Sequence, residues 1–358
     1  MKRRMDLNKT TRQDMITYGI VIFLFLFCLI YTMSGAASNL FQGLLVPICV
    51  NVILAISLNL TVGILGELSL GHAGFMCVGA FAGSIFSLVT AETITSVWIR
   101  FPLAFLVGGI AAAIVGILIG IPVLRLRGDY LAIVTLAFGE IIKNILNNVY
   151  VVTDANGLHV ALSVESYNAI DFDEGTKNVL INGAMGITGT PNDSNLVVGF
   201  VLIMITLAVI LNLVRSRTGR AIMSIRDNRI AAEATGINIT KYKLIAFSVS
   251  AFFAGIAGVL YSHNLSTLVA TKFDYNMSIL ILVFVVLGGM GSMRGSTIAA
   301  IILTALPEFL RGLSDYRMLI YAIVLILMML VNNNETMKQY KERLFSKFTI
   351  KKVKKGVS

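Results

Sequence analysis

Long apolar blocks separated by short charged clusters dominate this chain. Because Asp, Glu, Lys and Arg are expensive at the centre of a bilayer, intervals without them mark candidate spans. None occurs from 15 to 66, which leaves room for two crossings of roughly 20 residues each. They fall at 16–34 and 44–62, joined by the small polar stretch 34–39. Further charge-free windows cover 68–91, 101–124, 194–214, 244–271 and 275–293. A fifth helix over 130–149 carries Glu140 and Lys143, a ninth at 296–310 is short and holds Pro307 and Glu308, and a tenth covers 318–332. The pattern predicts an all-α, polytopic membrane protein of about ten transmembrane helices.

Composition supports that reading. Of 358 residues, 56% are hydrophobic and 13% charged, and the mean hydropathy is +0.83, far from the balance of a soluble domain. Cys28, Cys49 and Cys77 lie inside apolar stretches, without metal-ligand spacing or an even number for a disulfide framework. They read as buried small hydrophobes.

A net charge of +10 would suggest nucleic acid if the basic residues formed one patch. They instead sit between spans, where Lys and Arg collect on the cytoplasmic side. With the N-terminal flank 1–15 placed inside, the inner segments hold 23 of the 29 Lys and Arg and the outer ones five, with Lys143 left in a span. The split predicts cytoplasmic N and C termini and no nucleic-acid partner. The membrane domain is then 16–332, followed by a basic cytoplasmic tail, 333–358. The N-terminal apolar run is longer than the ~7–15 residues of a signal-peptide core, so a retained first span is expected.

The largest outer segment, 150–195, is rich in Asn, Gly and Asp. Irregular structure is expected there, with a short surface helix at 160–164. Within 63–83, GILGELSLGHAGFMCVGAFAG, glycines and ionisable groups interrupt an otherwise continuous helix. Lipid cannot satisfy Glu67, Ser69 or His72. Either this is a re-entrant segment lining a translocation path, or it is a cytoplasmic turn between the second and third spans. Gly79 with Gly83, and Gly116 with Gly120, form small faces on which membrane helices pack. Glu140 and Lys143 share a helix face and can pair. Thr135 is a polar neighbour on that helix.

The cytoplasmic loop 215–243 has its own helical pattern. Asn228 is placed to cap a helix from Arg229 to Thr235, and Gly236 to end it in the left-handed conformation. A projection that docks on a cytosolic partner accounts for the mixed charge and the terminator, while a helix lying on anionic lipid accounts for the arginines. His159 and His263 stand apart from each other and from His72, so no metal site or nucleophilic triad is expected. No Gly-x-x-x-x-Gly-Lys-Ser/Thr phosphate loop occurs. Any ATP used in transport must be bound by another chain.

Four blocks carry a resemblance: SLNLTVGILGELSLGHAGFMCVGAFAG (57–83), LRLRGDYLAIVTLAFGEIIKNILNN (124–148), GRAIMSIRDNRIAAEATGINITKYKLIAFSVSAFFAGIAGVLY (219–261) and LGGMGSMRGS (287–296). In this order they resemble the permease subunits of branched-chain amino acid ABC importers, most closely the M-type subunit. The resemblance implies a helical permease that is not itself an enzyme and holds no cofactor. It pairs in the cytoplasmic membrane of a prokaryote with an H-type permease, over two ABC ATPases that bind ATP and Mg. An extracytoplasmic binding protein delivers leucine, isoleucine or valine. It also implies an ATPase-coupling role for Arg226, Asn228, Ala232, Glu233 and Gly236. One departure stands out: this chain inserts roughly thirty residues, 150–181, before the Gly-rich stretch 182–191 that the family reaches almost directly.

On this reading Glu67, Ser69, His72, Thr135 and Glu140 are the candidate pathway groups, which must pass an ammonium and a carboxylate while tolerating an apolar side chain. Related permeases carry urea or short amides, so those solutes are alternatives. An ion-coupled secondary transporter is a further rival, because broken helices and intramembrane carboxylates suit it equally.

Overall fold

A computed structural model of the chain describes residues 2–35, 38–91, 93–126, 128–154, 157–168, 178–310 and the single positions 316, 319, 320, 322, 323 and 326. Helix α1 (Lys2–Met33) is followed by α2 (Asn39–Asn59), which runs on into a π-helical turn, Leu60–Leu65. Next come α3 (His72–Val89), α4 (Val97–Val123) and α5 (Asp129–Asn148). The segment after α5 holds β1 (Tyr150–Asp154), β2 (Gly157–Ala161), α6 (Val164–Asn168), β3 (Asn178–Asn182) and β4 (Ile187–Thr188). The chain then forms α7 (Leu196–Arg215), α8 (Arg217–Asp227), α9 (Arg229–Ala234), α10 (Ile239–Ser262), β5 (Thr267–Leu268), α11 (Tyr275–Gly288) and α12 (Met293–Phe309). Residues 1–301 make one compact unit and 302–358 a second, whose described residues include the last part of α12.

Side chains that accept from otherwise orphaned N–H groups start the helices. Ser38 caps α2, Asn195 caps α7, Ser216 caps α8, Asn238 caps α10 and Asp274 caps α11. Helix α10 packs against α2, α3 and α4 to make the core. Small residues permit the approach: a Cβ at Gly79 would collide with the backbone of Gly255, and one at Gly255 with Ala112 and the Gly108 carbonyl. Gly83 faces Val259, Gly116 faces Ala251 and Gly120 faces Leu244. Both glycine pairs therefore serve the packing role expected of them, and both do so against α10.

Chain reversals alternate between two ends. The turns 66–71 and 124–128, the α8–α9 segment and the α11–α12 turn gather at one, the basic end. The α1–α2 link and the 190–195 and 263–268 segments gather at the other, the sheet end.

Among the described residues seven helices are long and apolar enough to cross a membrane by length and composition: 15–33 of α1, α2 with its π-turn, α3, α4, α7, α10 and α11, the last counted from residue 270. Helix α5 is diluted by Glu140, Lys143 and three asparagines, and α12 has only 17 residues. The expected tenth span and the basic tail 333–358 lie, apart from single positions, outside the described residues.

Two expectations change. The segment after α5 is not irregular: β2, β1 and β3 form an antiparallel sheet in that order, with a shift in the β1–β3 register between Val151 and Val152. The fold is thus not purely helical. Val151, Val152, Ala161, Leu180 and Ile181 of these strands are buried. The apolar stretch from 160 belongs to β2, and the short helix begins only at Val164. Helix α10 also starts at Ile239, five residues before the charge-free window. This brings Lys243 inside a helix, where it is buried.

Candidate functional site

The groups singled out in the sequence between Glu67 and Thr135 meet at the basic end. The π-turn closes at Gly66, whose φ of +80° lets the Glu67 N–H reach back to the Thr61 carbonyl at 3.1 Å. A Cβ there would also crowd the Arg226 side chain. Residues 66–71 then cross without helical hydrogen bonds to α3.

Glu67 pairs with Lys243 of α10; the lysine side chain is 3% exposed and the glutamate 17%. The pair borders a cleft of about 290 Å³ lined also by Gly128, Asp129, Arg226 and Arg229. Farther along the crossing, the Leu70 N–H donates to Thr135 Oγ1 at 3.0 Å, while Thr135 donates to its own Ala132 carbonyl at 2.9 Å. Gly71 and Gly74 lie flat on Thr135 and Gly139 of α5.

His72 is 2% exposed, and its Nε2 lies 2.8 Å from Ser57 Oγ. Ser57 already donates its proton to the Leu54 carbonyl at 2.9 Å. The Nε2–H is therefore the donor, and the imidazole pins α3 to α2. Ser69 Oγ is buried without a hydrogen-bond partner among the described residues. Glu67, Ser69 and His72 thus lie along the 66–72 crossing and Thr135 holds its Leu70 N–H from α5, whereas Glu140 lies farther along α5, paired with Lys143 on the same face. The 66–71 segment connects the π-turn of α2 to α3, and Ser69 and His72 are buried in it.

The α8–α9 segment sits against the start of this crossing, at Gly63 to Leu68. Asn228 ends α8 and caps α9 by accepting from the Ala231 N–H at 3.1 Å, and Gly236 follows α9 with a φ of +83°. Ala232 packs inward with Ile225 and Ile239, while Glu233 and Gly236 are exposed. Arg226 reaches away from α9: its Nη1 donates to the Gly63 carbonyl at 3.0 Å, and its other nitrogens hold Asp227.

Three groups escaped the sequence reading. Lys243 looked like a flanking residue because it precedes an apolar run. Ile230 is 81% exposed on α9, an apolar knob among charges. Asn59, fully buried in α2, takes the Gly291 N–H at 2.8 Å and donates to Ser296 Oγ at 2.9 Å. An Asn inside an apolar run was the available signal, since a buried carboxamide requires partners.

At the sheet end His263 is less isolated than expected. Its Nδ1 lies 3.0 Å from the Val259 carbonyl and so donates to it, leaving Nε2 to accept from Ser87 Oγ at 2.8 Å. Burial pushes the His263 pKa down, with Asp193 and the Val259 carbonyl opposing and Arg100 assisting. Arg100 and Asp193 approach to 3.5 Å beside it. Among the described residues no group of three His, Cys, Asp or Glu side chains gathers to hold a metal ion.

The family model described as branched-chain amino acid transport system / permease component matches residues 40–331. The high-affinity branched-chain amino acid transport system permease protein LivM of Salmonella typhimurium is 36% identical over 286 residues, 78% of this chain and 65% of the relative. LivM of Escherichia coli K12 is 37% identical over 287 residues, with the same coverage. The ribose import permease protein RbsC of Haemophilus influenzae is 32% identical over 123 residues, 32% of this chain and 38% of that protein. The chain thus spans a little under two thirds of the LivM relatives it matches. No solved structure matches. With the family model covering most of its length, this chain belongs to the permease components of branched-chain amino acid transport systems.

Proposed function

We propose that the chain is the membrane-spanning permease subunit of an ATP-driven importer of branched-chain amino acids. The observation that carries this reading is the α8–α9 projection: capped, terminated by Gly236, and joined to α2 through Arg226 at the Gly63 carbonyl. A rigid segment outside the apolar helices that grips one of them is what a motor subunit needs in order to move the others. The substrate class is supported by the family and by the names of the LivM relatives.

In this reading the protein sits in the cytoplasmic membrane of a prokaryote. It crosses about ten times, with both ends cytoplasmic, as the distribution of Lys and Arg favours. A second, H-type permease completes the path, two ABC ATPases bind ATP and Mg, and an extracytoplasmic binding protein delivers the solute. Arg226, Asn228, Ala232, Glu233 and Gly236 couple to the ATPase, with Ile230 as the apolar knob. Glu67, Ser69, His72, Thr135 and Glu140 shape the pathway, the first four by holding the 66–71 crossing at its basic end. The chain itself supplies a path and no chemistry.

The test is affinity purification from native membranes of the intact chain and of a variant with 229–236 replaced by a flexible linker, followed by reconstitution with labelled leucine. Recovery of a second permease and ATPases, lost selectively in the variant, together with ATP-dependent leucine uptake, is expected. Uptake of urea or acetamide in place of leucine would overturn the substrate. Uptake by the chain alone on an ion gradient would overturn the importer.

A further inference from the structure

The LGGMGSMRGS motif at 287–296 forms the turn between α11 and α12, and nothing above gives it a role. Its place in the fold supplies one. Gly289 and Gly291 have φ of +92° and +82°, so the turn folds back tightly, and a Cβ at Gly288 or Gly295 would strike the other's backbone or its neighbour's. The folded turn then rests on the π-turn of α2. A Cβ at Gly63 would collide with both Asn59 Oδ1 and Gly291 N, and a Cβ at Gly291 would meet the Gly63 carbonyl oxygen at 3.4 Å.

That carbonyl is the one Arg226 grips from α8. Three elements therefore converge on one peptide: the α8 guanidinium, the π-turn backbone and the α11–α12 turn. Asn59 binds the last two together. One turn before Gly63, it accepts from the Gly291 N–H and donates to Ser296, whose hydroxyl donates to the Ser292 carbonyl at 3.2 Å. Asn59 and Ser296 are fully buried. A carboxamide with both ends so engaged cannot move without its partners, because either bond lost leaves a buried polar group unpaired. π-helical turns interrupt the regular helical ladder and recur at functional sites, and this one lies where α8 takes hold.

Resting on the importer reading, we propose that Asn59 is the positioning residue that passes motion of the α8–α9 segment, received by the π-turn at Gly63, on to α11 and α12. Asn59 touches neither solute nor nucleotide. Its effect lies in how much transport each hydrolysed ATP yields, so packing alone would not reproduce its signature.

The test uses the whole reconstituted transporter in proteoliposomes and measures ATP hydrolysed per solute imported for Asn59→Ala, Ser296→Ala, Arg226→Ala and the Asn59→Ala/Arg226→Ala double variant. Asn59→Ala is expected to raise that ratio at least about threefold, within the range by which residues along a coupled element change coupling. Ser296→Ala should raise it less. The double variant should match the worse single variant, because both interrupt one route. An unchanged ratio in assembled Asn59→Ala, or effects that multiply in the double variant, overturns the proposal. If Asn59→Ala does not assemble, Ser296→Ala decides, and an unchanged ratio overturns it. A wild-type complex without ATP-driven uptake would defeat the importer reading instead.

Discussion

Replacing Glu67 with methionine strands a charge. The Lys243 side chain is 3% exposed and its partner 17%, so the two halves of the pair are unequally dependent on each other. The carboxylate borders the cleft that Arg226 and Arg229 also line, whereas the ammonium sits on the buried side of α10. Breaking a buried ion pair from one side costs about 3–5 kcal/mol, because the remaining charge is uncompensated. Glu67→Met should fall in that range. Lys243→Met should cost less, about 1 kcal/mol, because a partly exposed carboxylate near two arginines stays hydrated and screened. The double methionine variant keeps similar volume and removes both charges, so it should return to within about 1 kcal/mol of the parent. Denaturant unfolding of the purified protein in detergent, with all four forms compared, measures this. Equal losses in the two single variants, or a double variant as unstable as their sum, would show that burial of Lys243 does not govern the pair.

Gly63→Ala should destabilise the protein by about 1–3 kcal/mol or more, as overpacking does, because its new methyl group would meet Asn59 and the Gly291 backbone; the thermal midpoint reads this out. Asn228→Ala removes the cap of α9, for an expected loss of about 1 kcal/mol. On the proposed importer reading, ATPase recovery in affinity purification should drop while the second permease is retained. His263 has its pKa lowered chiefly by burial, so the folded protein binds fewer protons than the unfolded chain. The stability it contributes is present above the unfolded value near 6.5 and is lost as pH falls below it. The thermal midpoint should therefore decline between pH 7.5 and 5.5, and His263→Gln, which does not titrate, should flatten that slope.

Much of this protein was legible in one dimension, because lipid punishes unpaired charge and polar backbone wherever they occur. That rule located α2, α3, α4, α7 and α11 from charge gaps alone and foretold the alternation of chain reversals between two ends. The capping of α9 by Asn228 and its termination at Gly236 were readable for a similar reason: caps and left-handed glycines act within a few residues. The strands after α5 were harder. YVVTD, GLHVA and NVLIN carry the β-branched residues that suit strands, but each has five residues among Asn, Gly and Asp, and the pairing of β1 with β3 across more than twenty positions is decided only when the chain folds back.

Long-range partners were invisible for the same physical reason. Nothing near Glu67 in sequence announces Lys243, 176 positions away, and nothing near Asn59 announces Gly291, 232 positions away. The sequence by itself determined that these polar groups, set in apolar runs, had to find partners, since burial without them is too costly. Which partners they found, and that three of the elements involved meet at the Gly63 carbonyl, was decided by the packing of α2, α8 and the α11–α12 turn.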